Sequence, residues 1–215
     1  LLKSANSYFN TCTLYTKSDI DQEFLNDNPI LNETRGSGYW VWKPYFIQKK
    51  LAEVDENDLV FYTDCRCLFV SDPRPVIDRY FTGSITAFHV PGDFRNFQYT
   101  KRECFSAMEA YDLRYINGRQ YNAAFQLYYK CDFTLKFIDE YLRYCKIPAC
   151  VDDSIKEVQH SSFVEHRHDQ SIFSNLCIKY HIHGHKSPCQ WGEKVKEEYS
   201  YDTYSMFIDH HRNFR

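Results

Sequence analysis

The chain has 215 residues, a net charge near −3 with histidine neutral, and 43% hydrophobic content, which suits one domain with a packed core. No cluster of lysine and arginine is dense enough to track a phosphate backbone, so nucleic acid is excluded as a partner. No apolar run approaches the roughly 20 residues that cross a bilayer, and no basic-then-apolar leader is visible, so the expectation is a soluble, cytoplasmic protein without a transmembrane segment.

Nine cysteines, scattered from Cys12 to Cys189 without paired metal-ribbon spacing, read as reduced, small hydrophobic residues. The 18 tyrosines and 17 phenylalanines suit an aromatic crevice and an aromatic core equally. The opening Leu-Leu-Lys-Ser-Ala reads as the tail of a helix.

Residues Tyr8 to Thr16 have strand composition, and Ser18 with Asp19 can cap a short helix through Phe24. Asn26 to Thr34 reads as loop. In Arg35-Gly-Ser-Gly-Tyr-Trp-Val-Trp-Lys-Pro44 two glycines permit close backbone approach, and Pro44 suits the first turn of a helix running to about Leu51. Leu59 to Thr63 is an apolar, β-branched and aromatic run that reads as a buried strand ending at Asp64. An acid just beyond the carboxyl end of a strand in an open α/β sheet faces the ligand crevice, although an aspartate there also serves as a turn cap.

A helix is expected over Ser71 to Tyr80 and a strand over Ile85 to Val90. Thr100-Lys-Arg-Glu103 has capping-box spacing ahead of a helix to about Tyr111. Tyr121 to Tyr129 alternates as a strand, with Asn and Gln placed to face a polar cleft. Asp132 to Tyr144 is an amphipathic helix with a packing role, its apolar side carrying Leu135, Ile138 and Leu142 with Phe137 or Tyr141. After a polar loop from Cys150 to His160, Phe163 to Leu176 contains a helix with Asp169 near its start, where the acid could also complement the helix dipole. His181, His183 and His185 share one face if they lie on a strand, and the chain closes on Arg212 and Arg215.

Strands alternating with helices, an acid after a central strand and a later group of Asp, Gln and His point to an α/β nucleotide-binding enzyme. Neither GxGxxG nor GxxxxGK[ST] occurs, which argues against dinucleotide oxidoreductases and P-loop NTPases. The three late histidines could bind Zn²⁺, and a zinc-dependent hydrolase is one reading of them and of His166-Arg-His-Asp-Gln-Ser.

Gly36-Ser-Gly-Tyr-Trp-Val-Trp-Lys-Pro44, the Asp58 to Cys67 strand-and-acid segment, and Glu165-His-Arg-His-Asp-Gln-Ser-Ile-Phe-Ser174 together resemble small GT-A-type glycosyltransferases of polysaccharide gene clusters and large DNA viruses. The resemblance runs from about Tyr8 to the end. It implies a single α/β, GT-A-like (Rossmann-like) domain with a mixed, mostly parallel sheet flanked by helices, whose first strand and helix would precede Leu1. It also implies a nucleotide-sugar donor, UDP-linked by preference, a glycan or glycoconjugate acceptor, and Mn²⁺ or Mg²⁺ on the diphosphate. Asp64 stands where the first acid of an Asp-x-Asp element would be, and Arg66 stands where the second would be. That departure leaves either a metal held by Asp64 with His183 or His185, or a site in which Arg66 itself neutralises the diphosphate.

Under the same resemblance Asp169 is the candidate catalytic base, and Gln170 lines the sugar site. Tyr39, Trp40, Trp42, Lys43 and Lys101 complete the expected donor site through stacking and charge. A catalytically silent nucleotide-sugar or glycan-binding module remains the alternative, motivated by Arg66.

Overall fold

The computed structural model describes residues 1–211; Arg212 and Arg215 lie outside them. A four-stranded sheet is built from β1 (Leu59–Thr63), β3 (Ile85–Phe88), β4 (Phe125–Tyr129) and β5 (Gly184–His185) in the order β1-β4-β3-β5. A two-stranded antiparallel sheet pairs β2 (Cys67–Phe69) with β6 (Ile208–His210). The fold is mixed α/β with a mixed sheet flanked by helices, as expected.

Its pairing is nonetheless mainly antiparallel: β4 runs against both β1 and β3, and the parallel ladder is that of β3 with β5. The expectation of a mostly parallel sheet therefore needs correction, for a specific reason. The Arg74–Tyr80 helix lies between β1 and β3 in the chain, and those two strands do run the same way, but β4 is inserted between them. Alternation of strands and helices fixes direction within a crossover; it does not say which strand becomes the neighbour.

The sheet separates two apolar layers because strand side chains alternate. Val60, Ile85 and Tyr128 face a layer formed with Phe46, Leu51, Phe137, Ile138, Tyr141, Phe173 and Leu176. These come from the helices Trp42–Glu53, Asp132–Cys145 and Asp169–Lys179. Phe61, Phe88, Phe125 and Leu127 face the other side, packed with Phe69, Ile77, Phe81, Phe207 and Ile208. Phe137 is fully buried, so truncating it to alanine would cost about 3–5 kcal/mol.

Tyr8 to Thr16 forms no strand. Its aromatics are held by packing: Phe9 meets Phe61 and Phe69 edge-on at 5.8 and 5.2 Å, and Tyr15 stacks on Phe46 at 4.5 Å. Strand-like composition here reflects half-buried rings, a preference that needs no ladder. The Ser18–Asp19 cap belongs to a 3-10 turn at Lys17–Asp19 capped by Thr16, and the helix starts later, at Gln22–Asp27.

The Thr100–Glu103 capping box is not formed. Lys101 precedes the Arg102–Ala107 helix, and the Glu103 carboxylate instead accepts the backbone N–H groups of Lys156 and Glu157 and the Gln159 amide. The three late histidines do not share one strand face either: His181 lies in a turn with φ +54°, and β5 holds only Gly184 and His185.

Candidate functional site

The register of β1 on β4 sets the site. Thr63 pairs with Phe125 and the Asp64 N–H donates to Ala124 O at 2.8 Å, so the acid leaves the strand beside the 122–124 turn that leads into β4. Lys43, at the start of the Trp42–Glu53 helix, reaches the same point and donates to Ala123 O at 3.1 Å. Asp169, the first residue of the Asp169–Lys179 helix, arrives from the opposite side.

Lys43 Nζ lies 2.6 Å from Asp169 Oδ2 and 3.7 Å from Asp64 Oδ1. Two carboxylates from distant parts of the chain thus share one buried ammonium. Tyr62, two residues before Asp64 in β1, donates to Asp64 Oδ1 at 2.7 Å, and Tyr141 donates to Asp169 Oδ2 at 3.2 Å.

The two acids are not equivalent. The Asp169 side chain is 6% exposed and that of Asp64 32%. Burial pushes the Asp169 carboxyl above the usual carboxylate range; Lys43 opposes this without cancelling it, and the nearby Asp64 charge adds to it. The burial of Lys43 favours its neutral form, but the Asp169 and Asp64 charges outweigh that and hold the ammonium protonated.

These groups line one cleft of about 1430 Å³, together with Arg66, Arg35, Trp40, Trp42, Asn122 and Gln170. One wall has unusual backbone. Gly36, Ser37, Gly38, Tyr39 and Trp40 all have φ between +50° and +95°, a left-handed turn that costs L residues about 1–2 kcal/mol each. Glycine is required at two of these places. A Cβ on Gly36 would meet the Trp40 ring at 2.4 Å, and one on Gly38 would meet the Leu31 Cα at 2.6 Å. The turn lays the Tyr39 and Trp40 rings against His168, at 5.3 and 5.1 Å between ring centres, and Trp42 Nε1 donates to Gly36 O at 2.9 Å. Strain of this kind collects at binding sites, where the surrounding packing over-determines the backbone.

Among the residues expected to bind donor, Asp64, Arg66, Trp40, Trp42, Lys43 and Gln170 line the cleft, and Tyr39 packs behind it on His168. Lys101 does not line it. It is fully buried, pairs with the Asp152 carboxylate and donates to Asp152 O at 2.8 Å and Ser154 O at 3.1 Å. Its ammonium is consumed in holding the 152–154 loop.

His183 and His185 do not join Asp64. β1 and β5 are opposite edges of the four-stranded sheet, with two strands between them, which separates them laterally by about 14 Å. The histidines line a different, smaller cavity and gather instead with Asp202. Nor does the donor set at Asp64 fit a divalent cation: Arg66 stands where a second acid would, and the Lys43 ammonium lies between the carboxylates that would share the ion. Among the described residues Asp64 belongs to no group of three possible ligands.

The zinc-hydrolase pattern at His166 and His168 dissolves as well. His166 is buried, accepts the Lys101 N–H on Nδ1 and bonds Cys150 O through Nε2; burial pushes its pKa well down. His168 Nε2 lies 3.0 Å from Asp153 Oδ1 and belongs to the aromatic wall.

Asn122 lines the cleft, as the amides of the Tyr121–Tyr129 segment are expected to, whereas Tyr62, Tyr141 and Arg35 are not marked as site residues by the sequence. For Tyr62 a signal existed, since residues two apart share a strand face. Tyr141 was assigned to packing alone, and its hydroxyl reaches Asp169 only because two helices pack side by side.

No protein-family model matches this chain, and no curated protein matches it. Among solved structures it is similar to the crystal structure of mouse xyloside xylosyltransferase 1 in its apo form, with a TM-score of 0.43 and 13% identity over 88% of this chain and 73% of that one. Among the described residues no helix is long and apolar enough to cross a membrane.

Proposed function

We propose that the chain is a glycosyltransferase that moves a sugar from a nucleotide-sugar donor, a UDP-sugar first among those to test, to a hydroxyl of a glycan acceptor. The observation that carries this reading is the convergence of Asp64 and Asp169 on Lys43 at the floor of a cleft walled by Trp40 and Trp42.

In a direct displacement the acceptor oxygen bonds to the anomeric carbon while the bond from that carbon to the phosphate oxygen breaks. The electron pair leaves with the nucleoside diphosphate, and the hydroxyl proton needs a base. Asp169 suits that role because burial raises its basicity toward working pH. Asp64, more exposed and oriented by Tyr62, suits ribose hydroxyls. Arg66 and Arg35, both on the cleft, suit the diphosphate, with Arg able to bind phosphate oxygens in a fork. The indole faces of Trp40 and Trp42 offer apolar platforms for sugar or base, and Gln170 can hold sugar hydroxyls. With no carboxylate set for a divalent ion at Asp64, charge balance on the diphosphate falls to these side chains and to Lys43.

The test is nucleotide release from a panel of UDP-, GDP- and TDP-sugars, repeated with Asp64→Ala and Asp169→Asn. Release from one donor that falls at least ~100-fold in both variants is the expected result. Release that survives both substitutions, or no release and no binding from any donor, overturns the assignment.

A further inference from the structure

The smaller cavity, about 380 Å³, opens at the far edge of the sheet and is lined by His181, His183 and His185 with Thr82, Ser84 and Thr86. Gly184 makes its geometry. A Cβ there would meet His89 Nε2 at 2.1 Å, so only glycine lets β5 lie this close to β3 with a histidine on either side. The rings of His183 and His185 stand 4.7 Å apart, nearly perpendicular. Asp202, from the segment before β6, comes up beneath them.

We propose that His183, His185 and Asp202 form a binding site for a divalent transition ion, zinc by ligand type, separate from the cleft. One ligand atom from each residue lies within 4.8 Å of the others. His185 Nδ1 and Asp202 Oδ1 are 2.9 Å apart, close to the roughly 3.3 Å between two ligands of a tetrahedral ion with bonds of about 2.0–2.1 Å. The other oxygen, Asp202 Oδ2, accepts the Lys186 N–H at 2.6 Å, which orients the carboxylate and leaves Oδ1 toward the histidines. Such an outer hydrogen bond is what ligating carboxylates ordinarily have.

The rings of Phe81 and Phe88 lie 5.1 and 6.4 Å from that of His185 and make one side of the site apolar. A plain His185–Asp202 hydrogen bond accounts for two of the three residues. It gives no reason for His183, which is exposed, makes no side-chain hydrogen bond among the described residues and is free to swing the last ångström or so onto an ion. Ligation through His185 Nδ1 displaces the proton of the His185–Asp202 bond: from a neutral ring it moves to Nε2, and from an imidazolium it goes to solvent. Three protein ligands leave the fourth position open to water from the cavity.

The experiment uses the tag-free full chain, dialysed against chelator. Zinc content after loading is measured by mass spectrometry and affinity by competition with a chromophoric chelator; Co²⁺ is added as a spectroscopic substitute. The expected result is one zinc per chain and a visible four-coordinate Co²⁺ band. Affinity falls ~100-fold or more in His183→Ala, while Asp64→Ala binds as the parent does. Asp202→Asn should fall similarly, but Asp202 also holds the Lys186 N–H, so exposed His183 is the decisive position. Absence of stoichiometric zinc, or equal affinity in His183→Ala with the metal held by thiols among the nine cysteines, overturns the site. Neither result depends on whether the cleft transfers a sugar.

Discussion

Lys43 and Lys101 make a controlled comparison. Both are buried lysines paired with aspartate, at 3% and 0% exposure, and both were expected to meet a phosphate. Lys101 is closed off: one carboxylate and two backbone carbonyls take its protons and pin the 152–154 loop. Lys43 gives one bond to a carbonyl and divides its charge between two carboxylates on the floor of a cleft. The first arrangement has no unfilled demand and can only stabilise. The second has an excess of negative charge over one cation beside open space, and it can change partners when a charged ligand arrives. Burial and a salt bridge are common to both; what separates a staple from a candidate site is saturation and access.

The largest expected effect falls on the staple. Lys101→Met removes a fully buried ammonium from the half-buried Asp152 carboxylate, which keeps only its Ser154 donors, and from two backbone carbonyls; this costs about 3 kcal/mol and lowers the melting temperature by about 10 °C, read by calorimetry. Nucleotide release per folded molecule should stay at the parental level. If Lys101→Met abolished donor binding in folded protein, the comparison would fail.

Next comes the cleft. Asp169→Asn should reduce turnover per folded molecule ~100-fold or more. It also takes the nearer carboxylate from buried Lys43, so the melting temperature should fall as well, with Asp64 left as the remaining counter-charge. The pH profile carries the sharper information. A carboxyl held above its ordinary value is still protonated where a free aspartate has ionised, so the acidic limb of kcat/KM should lie above the ~3.9 of an unperturbed aspartate. That limb should vanish in Asp169→Asn. An acidic limb unchanged in the variant would assign the base elsewhere.

A smaller, graded effect concerns the whole molecule. Burial pushes the His89 pKa down to about 3, with Arg119 and the neighbouring histidines adding to it, and burial lowers His166 as well. The unfolded chain takes up these protons near pH 6.5 and the folded chain does not. Stability should therefore be complete above about pH 6.5 and fall as pH drops toward 3, by at most about 1.4 kcal/mol per pH unit for each histidine. Urea titrations at pH 7, 6 and 5 measure the slope, and His89→Gln should flatten it.

The smallest effect is an expected null result. With Lys43 between the acids and Arg66 on the cleft, donor binding should change less than ~2-fold between chelator and added Mn²⁺. A strong Mn²⁺ requirement would mean that Lys43 yields its position to an ion, and would reverse the reading of the pair.

Much of the local structure was legible. β1 was expected from Leu59 to Thr63 and is found there, because a β-branched and aromatic run is bounded by Asn57 and Asp58 before it and an acid after it. The Asp132–Cys145 helix followed from its apolar stripe, and Pro44 fixed the first turn of the Trp42–Glu53 helix. The errors share one cause. Glu103 had capping-box spacing but found better donors in the amides of residues 156 and 157, and His183 had a nominal partner in Asp64 but folded beside Asp202. In each case a partner distant in the chain outbid a local or assumed one.

By itself the sequence determined which segments bury and which chemical groups sit at their ends, since side-chain periodicity and turn chemistry act within a few residues. It placed an acid after β1 and another at the head of a late helix. Only the tertiary structure decided that one lysine would lie between those acids, that a second lysine would be sealed away, and that the histidines would gather at the opposite sheet edge. Those outcomes depend on strand order and helix packing, where the free energy comes from contacts between residues remote along the chain.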